Sequence, residues 1–318
     1  LLNIKKNNKI IVIALGGNAI LQAGEKGTHE EQSSNAKIAA TEIVKIIKEG
    51  YGIALTHGNG PQVGNLYIQN SLAGESVPPM PFDVLTAESQ GLIGYLMQQA
   101  MQNELASQDI DIPLLTIITQ VEIDKDDPAF NNPTKPVGPF HTKKEAELLM
   151  AKTSILMKED YNKRWRKIVP SPKPISIIEK DAIKANIDDE IIVIVSGGGG
   201  IPVIKEDNKL VGVEAVIDKD FSACRLGIDI KADILMILTD VDRIALNFNT
   251  PNEKWIDSMS IEDAKRYMAE GHFGVGSMKP KVEAAIQFIE NGGEKSIIGS
   301  LNYACSAIHG KHGTTITK

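Results

Sequence analysis

The chain has 318 residues, 42% of them apolar and 24% charged, which suits a soluble globular protein with one α/β domain or two smaller lobes. Its net charge of -7 argues against general binding to nucleic acid or to an anionic membrane. Two cysteines, Cys224 and Cys305, stand far apart in no metal-ligand spacing, and no apolar run approaches the roughly 18 residues that span a bilayer, so a cytoplasmic enzyme is expected.

The opening residues, LLNIKKNNKI, carry no sustained apolar core and no small-residue cleavage site, so no signal peptide is expected there. The β-branched run Lys9–Leu15 reads as a buried strand ending at Gly16 and Gly17. Ala36, Ala39, Ala40, Ile43 and Ile47 have the spacing of an amphipathic helix that Gly50 ends. A second strand, Gly52–Thr56, runs into HGNGPQVG. The pattern recurs at Ile191–Val195, followed by Ser196 and four glycines, and at Ile234–Leu238, followed by TDVD. Pro280 is placed to open a helix whose Val282, Ala285, Ile286 and Ile289 share a face. Strands alternating with helices predict a mostly parallel sheet covered on both sides, with ligands beyond the carboxyl ends of its strands.

Residues 121–174 break this rhythm. Seven of the fifteen prolines fall there among many charges, poor material for a central strand. The stretch reads as an excursion from the sheet, a small subdomain or lid.

Four glycine-rich loops follow strands: Leu15–Ala19, His57–Gly64, Ser196–Pro202 and Gly271–Lys281. One such loop is an ordinary turn more often than a site. Four in an alternating β/α frame favour backbone N–H groups presented to phosphate. The P-loop signature is absent, and the Gly58–Gly64 run lacks the acidic partner that ribose binding wants, which disfavours a nicotinamide site. Three lysines sit in constrained settings: Lys135 between Pro133 and Pro136, Lys219 between Asp218 and Asp220, and Lys281 just after Pro280. Any one lysine is usually a solvated one. Lysines converging from separate loops, however, would supply the positive charge that phosphoryl transfer needs. The six histidines show no H-x-x-x-H pairing, so structural or surface roles are expected, and the basic run Asn162–Lys167 reads as a solvated surface.

From Lys9 to Ile316, in order, ALGGNA, THGNGPQVG, SQGLIGY, NPTKPVGPF, VPSPKP, SGGGGIPV, GVEAVIDKD, LTDVD, GSMKPKVEAAIQF and GTTI resemble the carbamate kinases of the amino-acid-kinase superfamily. The resemblance implies a three-layer αβα open sandwich with a mostly parallel central sheet and a small protruding lid subdomain at about 121–174. It implies an N-terminal lobe, about 9–205, for carbamate or carbamoyl phosphate, and a C-terminal lobe, about 206–318, for ATP or ADP. The implied reaction is ATP plus carbamate to ADP plus carbamoyl phosphate, run toward ATP in fermentative breakdown of arginine, agmatine or ureides. Carried over by motif, the catalytic residues would be Lys135, Lys219 and Lys281, with Asp218 positioning Lys219. Gly16, Gly17, Asn18, Gly58, Asn59 and Gly60 would hold the carbamoyl and phosphoryl groups. Thr239, Asp240, Val241 and Met278 would line the nucleotide pocket. Mg²⁺ would bridge the nucleotide phosphates without a protein ligand, and the enzyme would be a homodimer. Two alternatives stay open: a kinase for another small carboxylate or a nucleotide, and a non-catalytic nucleotide sensor with the same fold.

Overall fold

A computed structural model describes residues 7–22, 24–74, 76–152, 155–160, 163–274 and 277–318, with the backbone alone at Asn18. Eight strands form the central sheet. Their spatial order is Ser258–Ser260, Thr314–Thr317, Lys295–Ser300, Ile234–Thr239, Ile10–Leu15, Gly52–His57, Ile192–Ile194 and Leu114–Thr116. Every neighbouring pair is parallel except Lys295–Ser300 with Thr314–Thr317.

The middle strand shows why the sheet is three layers thick. All six of its residues are buried, as expected where both faces are covered. Side chains alternate across a strand. Ile11, Ile13 and Leu15 therefore join one cluster, with helices His29–Ile47 and Phe82–Ser107. Ile10, Val12 and Ala14 join the other, with helices Lys219–Asp229 and Met278–Glu290. Burying each of the larger side chains contributes about 2 kcal/mol relative to leaving it exposed.

Helix His29–Ile47 is framed at both ends. Thr28 and Glu31 form a capping box at its start, and Gly50, at φ 82°, turns the chain back past its end. The face foreseen from Ala36, Ala39, Ala40, Ile43 and Ile47 is the buried one. The last long helix begins at Met278, two residues ahead of Pro280. First-turn N–H groups have no intrahelical partner, so proline at the third position removes nothing the helix uses.

None of the described strands within 121–174 joins the central sheet. Val121 and Ile177 pair within a four-stranded sheet of Lys209–Gly212, Ile201–Glu206, Gln120–Ile123 and Pro174–Ile177. Beyond it stands a three-stranded sheet of Lys135–His141, Trp165–Val169 and Met157–Glu159, with helix Lys143–Lys152 between strands. Val137 and Val169 tie this outer sheet to Val63, Phe82 and Leu85 of two neighbouring helices.

The basic run departs from its expected solvated state, and its Asn162 lies outside the described residues. The Arg164 guanidinium lies 3.6 Å from the centre of the Phe140 ring, and Arg166 packs on the same ring. Lys167 is buried and pairs with Glu214. Long basic side chains that cover apolar surface can be buried along their stems, which a count of charges does not register.

Candidate active site

The candidate site is built from glycines that let separate loops touch. A side chain at Gly58 would put its Cβ 3.0 Å from Gly17 Cα and 3.5 Å from Lys219 Cδ. One at Gly16 would lie 3.1 Å from the Leu238 carbonyl oxygen. The loops after Ile10–Leu15, Gly52–His57 and Ile234–Thr239 therefore meet around the base of Lys219, at the carboxyl ends of adjacent strands. Gly60 opens helix Gly60–Ala73, whose first N–H groups face outward without helical partners.

The Ser196–Pro202 loop locks the His57–Gly64 loop. Gly198, at φ 68°, lies so close to the Asn59 side chain that a Cβ there would be 2.1 Å from it. Asn59 Nδ2 donates to Ser89 Oγ at 2.7 Å. Ser196, a left-handed residue at φ 52°, is clamped from two sides. Its N–H donates to Thr119 Oγ1 at 3.0 Å, and its carbonyl accepts from Thr56 Oγ1 at 2.9 Å. Such clamping is what holds a non-glycine residue in a costly conformation. Beneath, His57 is buried and pairs through Nδ1 with the Gly58 carbonyl at 3.0 Å, and burial lowers its pKa to about 4. It is neutral at pH 7 and structural, with Nδ1–H donating.

Three ammonium groups and two carboxylates stand above this floor. Asp218 caps helix Lys219–Asp229, its Oδ1 accepting from the Asp220 N–H at 2.9 Å. Its Oδ2 accepts from Lys135 Nζ at 2.8 Å. Asp220 accepts from Lys219 through Oδ1 at 2.6 Å and from Lys281 through Oδ2 at 2.7 Å. The three lysines thus converge, and two carboxylates space them. The Asp218 side chain holds Lys135 rather than Lys219. Asp220, which is buried, is the residue that fixes Lys219, and it fixes Lys281 as well. Burial alone would raise the Asp218 carboxyl pKa, but the Lys135 ammonium and its hydrogen bond, together with the Asp220 N–H and the Lys219 charge, more than offset that and leave it below the usual range. Burial likewise pushes the Lys219 ammonium down, opposed mainly by Asp220 and reinforced by the nearby Lys281 charge.

The nucleotide candidates are less tightly gathered. Thr239 and Asp240 line a cleft of about 510 Å³ with Gly16, Ser300 and Asn302. Val241 follows them at the strand end, half-buried, and Met278 begins the helix that carries Lys281. The side-chain amide of Asn18 lies outside the described residues, as do Val275 and Gly276 of the Gly271–Lys281 loop. Asp220, Ser89 and Ser196 were not singled out as site residues from sequence. For Asp220 the signal was present in DKD.

As to a metal, both oxygens of Asp218 and both of Asp220 are engaged by N–H or ammonium donors. This pair offers a cation no unclaimed oxygen. That fits a Mg²⁺ carried in on nucleotide phosphates and not one held in a protein cage.

The amino acid kinase family model matches residues 9–300. A carbamate kinase of Pyrococcus horikoshii is 50% identical over 310 residues, covering 96% of this chain and 98% of the relative. One from Pyrococcus furiosus is 49% identical, covering 97% and 99%. The solved carbamate kinase of Giardia lamblia bound to AMP-PNP superposes with a TM-score of 0.94 at 47% identity, covering 98% of this chain and 99% of that one. With this likeness along nearly its whole length, the chain belongs to the amino acid kinase family and, within it, to the carbamate kinases.

Proposed function

We infer that the protein transfers a phosphoryl group reversibly between ATP and carbamate, forming ADP and carbamoyl phosphate. One observation carries the residue roles: Asp220 holds the Lys219 and Lys281 ammonium groups within hydrogen-bond reach of one carboxylate, beside the Gly17–Gly58 contact. A phosphoryl group in flight carries charge on its equatorial oxygens and asks little covalent help of the protein. Lys219 and Lys281 would neutralise that charge from the floor, and Lys135 from the outer sheet above. Asp220 would position both floor lysines. Asp218 would keep Lys135 over the site until an oxyanion takes its place. Backbone N–H groups at Gly16, Gly17, Gly58 and Gly60, with the amides of Asn18 and Asn59, would hold the carbamoyl and phosphoryl oxygens. Thr239, Asp240, Val241 and Met278 would line the nucleotide pocket. Mg²⁺, when bound with the nucleotide, supplies further neutralisation of its phosphates.

The same reading takes about 9–205 as the acceptor lobe, about 206–318 as the nucleotide lobe, and the stretch of about 121–174, which carries the outer sheet, as the lid. It includes a homodimer. Leu114–Thr116 is an edge strand, and Leu92, Tyr95 and Ile118 leave an apolar surface exposed beside it. No helix among the described residues is long and apolar enough to cross a membrane. Both cysteines are free, which supports the cytoplasmic setting.

The test is ATP formation from ADP and carbamoyl phosphate with Mg²⁺, coupled to hexokinase and glucose-6-phosphate dehydrogenase. A rate that disappears when carbamoyl phosphate is omitted is expected. No rate from folded, ADP-binding protein would overturn the reading and favour another acyl phosphate or a sensor.

A further inference from the structure

Away from the catalytic edge, Glu49, Cys305 and His309 each present one ligand atom, and the three atoms all lie within 4.8 Å of one another. Cys305 belongs to helix Ala304–Ile308 and His309 is its C-cap, so the two lie four apart on one side of a helical turn. Glu49 follows helix His29–Ile47, which packs beside it in the same layer. His309 Nε2 is already 3.6 Å from Glu49 Oε2. Lys295, the first residue of its strand, donates to the Ile308 carbonyl at 2.9 Å, which places the cluster at the amino ends of the strands, opposite the lysines.

The geometry points to a Zn²⁺ site formed by Cys305 Sγ, an imidazole nitrogen of His309 and a carboxylate oxygen of Glu49, with water as fourth ligand. A thiolate, an imidazole and a carboxylate are a borderline-soft donor set that suits zinc and not the hard, all-oxygen preference of Mg²⁺ or Ca²⁺. Bonds of about 2.0–2.3 Å in a tetrahedron put ligand atoms roughly 3.3–3.8 Å apart. The His309–Glu49 separation is in that range. The remaining closure of about 1 Å falls to rotation of Glu49 and His309, both exposed side chains. Both helices present their C-terminal ends here, where partial negative charge favours a cation. The neighbouring Lys45 is occupied by Glu42 at 2.6 Å. Burial raises the Cys305 pKa and the Glu49 charge adds to this, so the metal-free protein holds a thiol. Binding then exchanges one proton for one metal: the S–H bond breaks, an S–Zn bond forms and H⁺ leaves to solvent, with no redox change. The bound ion would staple the end of one long helix to the C-terminal helix.

The test is a Co²⁺ titration of the full chain, kept reduced and first stripped with EDTA, followed by displacement with Zn²⁺. The expected result is a sulfur-to-cobalt charge-transfer band with tetrahedral visible bands at one equivalent, bleached by Zn²⁺. Cys305→Ser should abolish the charge-transfer band, and His309→Ala and Glu49→Gln should each weaken Zn²⁺ binding by about tenfold or more. Cys224→Ala should leave the band intact. Carbamoyl-phosphate-dependent ATP formation should be unchanged in every variant, which also reports that each has folded. Absence of the band, its survival in Cys305→Ser or its loss in Cys224→Ala would each overturn the assignment.

Discussion

Lys135 and Asp218 are 83 residues apart in sequence and share one hydrogen bond of 2.8 Å, which joins the outer three-stranded sheet to the helix that carries Lys219. Lys135 is more than a third exposed, at 37%, so the pair is worth at most about 1 kcal/mol. That is enough to bias the outer sheet's position and too little to fix it. In nucleotide-free protein, Asp218→Asn is expected to raise amide exchange in Lys135–His141 by up to about fivefold. Exchange unchanged from wild type would show that the outer sheet is held by its apolar contacts alone.

Asp220→Asn keeps the shape and removes the charge between Lys219 and Lys281. The turnover number is expected to fall at least about 100-fold, with a much smaller change in the KM for ADP. Stability should drop by about 3 kcal/mol, because two ammonium groups lose their shared buried partner. Steady-state kinetics and a urea melt check both, and wild-type turnover would remove Asp220 from the site.

Gly58→Ala tests the loop contact. The added Cβ meets backbone atoms of Gly17 on one side, which cannot rotate away, so the two loops must part. The expected result is a loss of about tenfold or more in kcat/KM for carbamoyl phosphate, while ADP affinity stays within about threefold. Equal losses for both ligands would place the contact at the sites of both.

His57 gives a pH dependence whose sign is fixed. Its pKa falls from 6.5 to about 4 on folding, so the native state binds fewer protons than the unfolded one. Its contribution is complete above pH 6.5 and is lost as pH falls toward 4. Between pH 7 and pH 5 the wild type should lose about 2 kcal/mol from this group. His57→Gln should show that much less pH dependence, read from denaturant midpoints at the two pH values.

Much of this was open to sequence reading because it was local. Buried parallel strands are continuous apolar runs, and Lys9–Leu15 and Ile234–Leu238 match observed strands to within a residue. Helix His29–Ile47 declares its buried face by spacing. Glycines after strands marked the loops. What stayed hidden was pairing between distant segments. DKD displays two candidate partners for Lys219, but not that Asp220 also reaches Lys281, 61 residues on, or that Asp218 turns to the lysine of another sheet. The four-stranded sheet draws strands from 120, 174, 201 and 209, too short and too dispersed to show as a unit. The sequence reading gave Cys305 and His309 no ligand role, and Glu49, which follows a helix far earlier in the chain, comes near them only through packing.

The strand Ile10–Leu15 lies between Gly52–His57 and Ile234–Thr239, hydrogen-bonded to each. Neighbouring strands stand about 4.8 Å apart, a spacing set by the backbone and indifferent to side chains. On the proposed assignment, the acceptor rests at the ends of the first two strands and the donor at the end of the third. The sheet is then a gauge. It ties the acceptor and donor loops to one backbone spacing, however the lid, the clefts and the surface are altered around it.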